Sequence, residues 1–468
     1  MRKILLSLTF CLSSILAAAQ QHELETTASD QVDIAITAYN NGLALVRDTR
    51  ALRLPIGEVL LRFSDVAQQI RPETVSLRSL SRPGTVRIIE QNYEYDLLSP
   101  AKLMEKYVGR DVRLVNFHEQ LGFESVEARL LSVNQGPIYR IGNEIFLGHP
   151  GYVVLPELPE DLIAKPSLVW HVDNTSPEQR LEATYLTGGI SWKADYVVTL
   201  AKDDASLDLA GWVTLSNQSG STYTNAKLKL VAGDVNVVSK PEAVMYDRLR
   251  SMSYMAEAEM AVEESFAEYH LYTMPRRTTI KQNQSKQLAL LQGVGIQSKK
   301  KYEYRGQTHF YSQPMPPMIG EHVSVFLIFE NREENALGMP LPAGVMRVYQ
   351  EDSEGALQFA GEDRIGHTPK DETVTLRMGS AFDVIGERIQ TDYRRIASNV
   401  HECSYEIILR NHKEEDIVVD VVEPMPGDWE ILRSSLEFEK VDAGSAVFHM
   451  AVPQDGETRL TYRVLVTY

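Results

Sequence analysis

The residues best equipped for chemistry are gathered late in the chain. Glu362, Asp363, Arg364 and His367 are followed by Asp383, Arg388, Asp392, Arg394 and Arg395. Paired carboxylates beside a histidine have the groups for general acid–base work, and clustered guanidinium groups suit an anionic sugar or a carboxylate. The expected ligand-binding set is therefore Asp363, Arg364, His367, Asp383, Arg388, Asp392 and Arg395. The plainer reading makes them turn residues and exposed cross-strand ion pairs on a sheet. Convergence on one cleft is what separates the two.

Other chemical signals are fragments. His118-Glu119 and His401-Glu402 lack the second histidine of a zinc helix, and Gly293-Val294-Gly295 is too short for a dinucleotide loop. There is no nucleophile elbow, phosphate loop or calcium loop, so no catalytic residue, metal or cofactor is assigned. Cys403 lies in Cys403-Ser404-Tyr405-Glu406-Ile407-Ile408-Leu409, which alternates like a strand. It reads as a small packed residue rather than a nucleophile.

These residues sit in a long, acidic chain of 468 residues with 43% hydrophobic and 24% charged side chains, enough for several cores. Lys plus Arg number 47 against 64 Asp plus Glu, a net charge of -17. Without a basic field there is nothing to displace counterions from a nucleic acid, and that class of partner is set aside. Residues 1–19 read as a signal peptide. Arg2 and Lys3 precede the apolar run Ile4 to Leu16, and Ala17-Ala18-Ala19 supplies the small residues of a cleavage site. Export to the periplasm or the medium is expected. Cys11 follows the bulky Phe10 in mid-run, against lipoprotein processing, so Cys403 would be left without a partner for an internal disulfide. No later run is long and apolar enough to span a bilayer as a helix.

Period-2 patterns dominate the rest. Ile34 to Ala38, Leu43 to Val46, Glu58 to Phe63 and Val86 to Glu90 are separated by Asn40-Asn41-Gly42, Pro55-Ile56-Gly57 and Arg82-Pro83-Gly84, which are turn signals. Ser99 and Pro100 open one helix over 99–108, as N-cap and first helical residue. The short strands that follow, from Val112 to Leu155, predict a small SH3-like or OB-like barrel. Further on, Trp192, Ala194, Tyr196, Val198 and Leu200 share one strand face, as do Leu207, Leu209, Gly211, Val213 and Leu215. Stacked antiparallel sandwiches are the economical reading.

Two interruptions stand out. Met245, Leu249, Met252, Met255, Ala258, Val262 and Phe266 recur at three- and four-residue spacing in an acid-rich stretch, predicting a helical, Met-rich insertion over 241–270. Gln313-Pro314-Met315-Pro316-Pro317-Met318 reads as a stiff connection. At the end, Leu460, Tyr462, Val464, Val466 and Tyr468 alternate with polar residues, a pattern shared by outer-membrane barrel strands and by the core strand of a sandwich, which is favoured.

Several strings carry a family resemblance. Tyr185-Leu186-Thr187-Gly188-Gly189-Ile190-Ser191-Trp192-Lys193-Ala194-Asp195-Tyr196, Leu230-Val231-Ala232-Gly233-Asp234-Val235-Asn236 and Gly361-Glu362-Asp363-Arg364-Ile365-Gly366-His367-Thr368-Pro369-Lys370-Asp371 resemble the bacterial domain-of-unknown-function family 4139. Ala38-Tyr39-Asn40-Asn41-Gly42-Leu43-Ala44-Leu45-Val46-Arg47 also looks like the start of the mucoidy inhibitor A family, which shares the C-terminal domain. The resemblance implies an exported, β-rich protein loosely associated with the envelope, and supplies no catalytic residues.

The expected organisation is a signal peptide at 1–19, an N-terminal β-sandwich segment at 27–95, an inserted barrel with one helix at 96–165, and a large C-terminal β-sandwich domain at 166–468 carrying the insertion 241–270. The expected role is binding or scaffolding in the cell envelope, with an envelope protein or polysaccharide as partner. The alternatives are a hydrolase acting on envelope polysaccharide or peptide through a carboxylate pair, and an outer-membrane-associated barrel.

Overall fold

The structure, a computed structural model, describes residues 22–118, 122–159, 162–163, 165–233, 235–236 and 260–468. The expected signal peptide and most of the Met-rich stretch lie outside these described residues. What is described is mainly β, in several antiparallel sheets, as the alternation predicts. No helix among the described residues is long and apolar enough to cross a membrane.

Turn chemistry and alternation act together at each hairpin. Gly42 takes φ +80 between the strands Gln31–Tyr39 and Leu43–Arg53. Gly189 takes φ +78 between Glu178–Gly188 and Ile190–Leu200, where a Cβ would stand 2.8 Å from the Gln218 backbone. Only glycine adopts that conformation without strain, so the turn that opens the family-like string is tied to its sequence.

A four-stranded sheet takes the strands His22–Thr26, Gly57–Ser64, Ser167–Asn174 and Val86–Glu94 in spatial order. It packs against an eight-stranded sheet that includes Gln31–Tyr39, Leu43–Arg53, Glu178–Gly188 and Tyr223–Ala232. Strands of the N-terminal segment thus pair with strands from far along the chain, such as Gln31–Tyr39 with Tyr223–Ala232. Leu61, Phe63, Trp170, Ile36 and Val46 meet in the core between the sheets. Trp170 is fully buried, edge-on to Phe63 at 5.7 Å, with its indole N–H donated to Gln91 Oε1 at 2.8 Å. Beneath the end of this sheet lies Arg50, also fully buried. Its guanidinium donates to Asp48 Oδ2 at 2.9 Å and to the Thr26 and Ser64 carbonyls at 2.8 and 2.7 Å, and rests 3.5 Å over the Phe63 ring.

A thirteen-stranded sheet carries the C-terminal half. Trp192, Ala194, Tyr196, Val198 and Leu200 are buried, as are Leu207, Leu209, Val213 and Leu215 on the partner strand, in the predicted phase. Three long strands, Gln284–Arg305, Met318–Glu330 and Thr373–Ala397, run through two successive cores. Their Leu290, Phe329 and Leu376 belong to the first core, and Tyr304, Val323 and Val384 to the second. The terminal strand Gly456–Thr467 buries Leu460, Tyr462, Val464 and Val466 in that second core. The proline-rich connection delivers Met315 and Met318 to its edge.

Two expectations are corrected. The segment after the helix is a curled but open sheet, not a closed barrel. Its order runs from Glu144–Leu147 at one edge to Tyr152–Val154 at the other, and these edges do not pair among the described residues. The link through 148–151 reaches at most about 18 Å when fully stretched. Four strand spacings of about 4.8 Å would separate the edges of a flat sheet by about 19 Å, so this one must curl. It closes over its own core of Tyr107, Val112, Leu114, Leu130 and Tyr139, with Met104 of the helix Pro100–Lys106 packed against it. Ser99 caps that helix as expected, accepting from the Lys102 N–H at 3.2 Å.

The second correction falls on the described end of the Met-rich stretch. Val262–Phe266 is a strand, not a helix, and forms a hairpin with Tyr269–Thr273 across Ala267, whose φ is +53. Tyr269–Thr273 then pairs with Tyr223–Ala232. Spacing of Val262 and Phe266 by four residues suits either period, and the available sheet edge decides in favour of the strand.

Candidate ligand cleft

The small module joins the four-stranded sheet through two connections that run side by side. Leu97 bridges Ile163, the Ile163 N–H donates to the Asp96 carbonyl at 3.1 Å, and the Leu98 N–H donates to the Ile163 carbonyl at 2.9 Å. Where the sheet ends and the module begins, the two surfaces flank an open cleft of about 900 Å³. That is the size of a small-ligand site, for which about 300–1,000 Å³ is usual.

Alternation builds the floor. Leu61, Phe63 and Leu168 point into the core, so Arg62, Ser64 and Ser167 point the other way, beside Glu25 of the neighbouring parallel strand. Ser64 Oγ donates to Glu25 Oε1 at 2.6 Å and lies 3.1 Å from Ser167 Oγ. Arg62 bridges Glu23 at 3.2 Å and also pairs with Glu94. The wall comes from the end of Val86–Glu94 and from the module: Tyr93, Tyr95, Asp96, Lys102, Ile163 and Lys165.

The charges are arranged in pairs. Lys165 bridges Asp65, while Lys102 reaches Glu105 at 2.9 Å and Asp96 at 3.7 Å. Burial alone would raise the Asp65 carboxyl, but the Lys165 hydrogen bond and the Ala28 N–H outweigh it and hold it below its ordinary value. Tyr93 and Tyr95 stack with centroids 5.4 Å apart and planes 29° from parallel. The Tyr93 hydroxyl donates to the carbonyl of Gln68 at 3.0 Å, and burial pushes its phenol up to about 12. Tyr93 is thus anchored and Tyr95, 67% exposed, offers a flat ring to the cleft. An aromatic face with fixed polar groups around it binds and orients a ligand.

The residues singled out from charge density lie elsewhere, and not together. Asp363 and Arg364 are on the strand Leu357–Ile365, where the Asp363 carboxylate accepts the backbone N–H groups of Arg364 and Arg377, both at 2.8 Å. His367 follows in the next turn, its Nδ1 accepting from the Ala343 N–H at 3.2 Å. Asp383 is exposed. Asp392 pairs with Arg394 at 3.3 Å, and Arg395 donates to the Ser398 carbonyl at 3.1 Å, both on the surface. Along a straight strand at about 3.3 Å per residue, Arg377 and Arg388 would stand about 35 Å apart. Arg388 is sealed in the second core, 2% exposed, with Nη1 donating to Glu423 Oε1 at 2.6 Å. No group of three or more His, Cys, Asp or Glu side chains among the described residues is placed to hold a metal.

Cys403 is fully buried in the same core, its Sγ 3.7 Å from the Tyr311 carbonyl, and burial pushes the thiol up to about 12. A buried thiol held protonated is a poor nucleophile. The folded protein lacking residues 1–19 is therefore expected to ignore an aromatic disulfide reagent at neutral pH and to release one thiolate equivalent only in denaturant. Rapid reaction in native buffer would contradict the packing.

The cleft residues were missed because they come from five separate segments. One signal was visible: Tyr93-Glu94-Tyr95-Asp96 alternates aromatic and acid at the end of a strand. Comparison with known proteins matches residues 181–468 to the family described as "Domain of unknown function (DUF4139)". No curated protein matches the chain.

Proposed function

Since the chain belongs to the domain-of-unknown-function family DUF4139, whose description carries no activity, we propose from its own surface that it is an exported binding protein of the cell envelope, with its ligand site in the cleft. The observation that carries this reading is the anchored tyrosine pair set among paired charges in a cavity of ligand size. Export is supported by the n-region, apolar run and small-residue exit of residues 1–19. The partner is an envelope polysaccharide or protein, and the family-matched sheets are the scaffold that holds the cleft sheet in place.

The test is retention of the chain from Gln20 on immobilised envelope polysaccharide and protein fractions, with Tyr95→Ala as the variant. Retention should fall by about ten-fold in Tyr95→Ala, the scale of one lost aromatic stack. Equal retention of both proteins would remove the cleft from consideration. New reducing ends or peptides in the eluate would instead favour the hydrolase expectation.

A further inference from the structure

Resting on that reading of the cleft, we infer that its ligand is a glycan built of amino sugars, with Glu25 receiving the protonated amine. The cations of the lining are already committed. Arg62 is held by Glu23 and Glu94, Lys165 by Asp65, and Lys102 by Glu105 and Asp96. Glu25 is different: it is exposed, accepts only the Ser64 hydroxyl, and has no cationic partner among the described residues.

An anionic polymer meets no free cation among the described lining residues and approaches a chain of net charge -17, so the long-range field opposes it. An acidic ligand would have to displace a carboxylate from Arg62 or Lys165 and leave that carboxylate unpaired. A ligand with an ammonium group gains an ion pair at Glu25 without breaking one. Tyr95 supplies the second half of the recognition. Its ring, backed by Tyr93 at 5.4 Å, is a rigid apolar plate that suits the C–H face of a pyranose. An amine carried on that sugar is also drawn to the ring face. Hydroxyl groups of the sugar find Ser64, Ser167 and Thr27 on the floor.

Calorimetric titration at low salt, at a pH that keeps the amine protonated, tests this with defined trimers. The glucosamine trimer is expected to bind at least ten-fold more tightly than cellotriose, which has hydroxyl groups in place of the amines, and the galacturonic acid trimer to bind more weakly still. Glu25→Gln should abolish the gap between the first two, and Tyr95→Ala should weaken both. Glu25 is a surface residue, so its variant is expected to fold, which circular dichroism checks.

Equal or tighter binding of the galacturonic acid trimer overturns the inference, as does a gap that survives Glu25→Gln. Tighter binding of trilysine than of the glucosamine trimer would make this a basic-peptide site and overturns it too. If no trimer binds but retention on envelope fractions still depends on Tyr95, the sugar assignment fails and the cleft stands. If retention is independent of Tyr95, the cleft reading itself has failed.

Discussion

Arg50→Met is expected to destabilise the protein by about 3–5 kcal/mol, the cost of breaking a buried ion pair from one side. The substitution keeps the apolar stem and removes the charged fork, together with its contact over the Phe63 ring. Asp48, 3% exposed, is left without its cation, and the carbonyls of Thr26 and Ser64 lose their donors. Each orphaned buried group costs about 1–3 kcal/mol. Adding Asp48→Leu should recover part of the loss but not all of it, because the two carbonyls stay unsatisfied. Urea titration of the single and double variants measures this, and a loss below about 1 kcal/mol would show that water or a neighbour replaces the guanidinium. The same substitution reaches the cleft. Thr26 and Ser64 are the residues that set Glu25 and the hydroxyl row in place, so ligand affinity should drop even where the variant is fully folded.

The second large effect is expected at Arg388, where the chemistry differs. Its Nη1 serves Glu423, but Nε and Nη2 have no hydrogen-bond partner among the described residues and lie against the rings of Tyr304 and Phe310, with Cζ 5.1 and 5.2 Å from their centroids. Glu423 is fully buried and also accepts from Tyr311 at 2.5 Å and Tyr462 at 3.0 Å. Arg388→Met should again cost about 3–5 kcal/mol, since an uncompensated carboxylate remains in the core. Arg388→Met with Glu423→Gln should recover most of it, because here both partners of the pair are gone and few acceptors are left behind. A double variant no better than the single one would mean that the guanidinium is held for its contacts with the rings rather than for the pair.

The two arginines also show what a reader of the chain sees and what stays hidden. Alternation is local, so the buried faces from Trp192 to Leu215 and the terminal strand from Leu460 to Val466 were legible, as was the capped helix at Ser99. Arg388 was picked out for its charge, yet it stands in phase with Val384 and Gly386, both buried, and that parity marked it as an inward residue. Closure of the small sheet depends on where Leu147 and Tyr152 lie relative to each other, a relation between edges that no pattern within a strand encodes. The cleft was hidden for the same reason. Its tyrosines announce themselves at residues 93–96, but Glu25, Arg62 and Lys165 reach them only through the pairing of distant strands.

The long strands that pass from one core into the next set the mechanics of the whole. Gln284–Arg305, Met318–Glu330 and Thr373–Ala397 are continuous where two domains would ordinarily meet at a flexible linker. A torque applied to one end is carried by several covalent backbones and the ladder between them, so the two cores are coupled through these strands and should melt in a single transition. That makes the C-terminal half a strut.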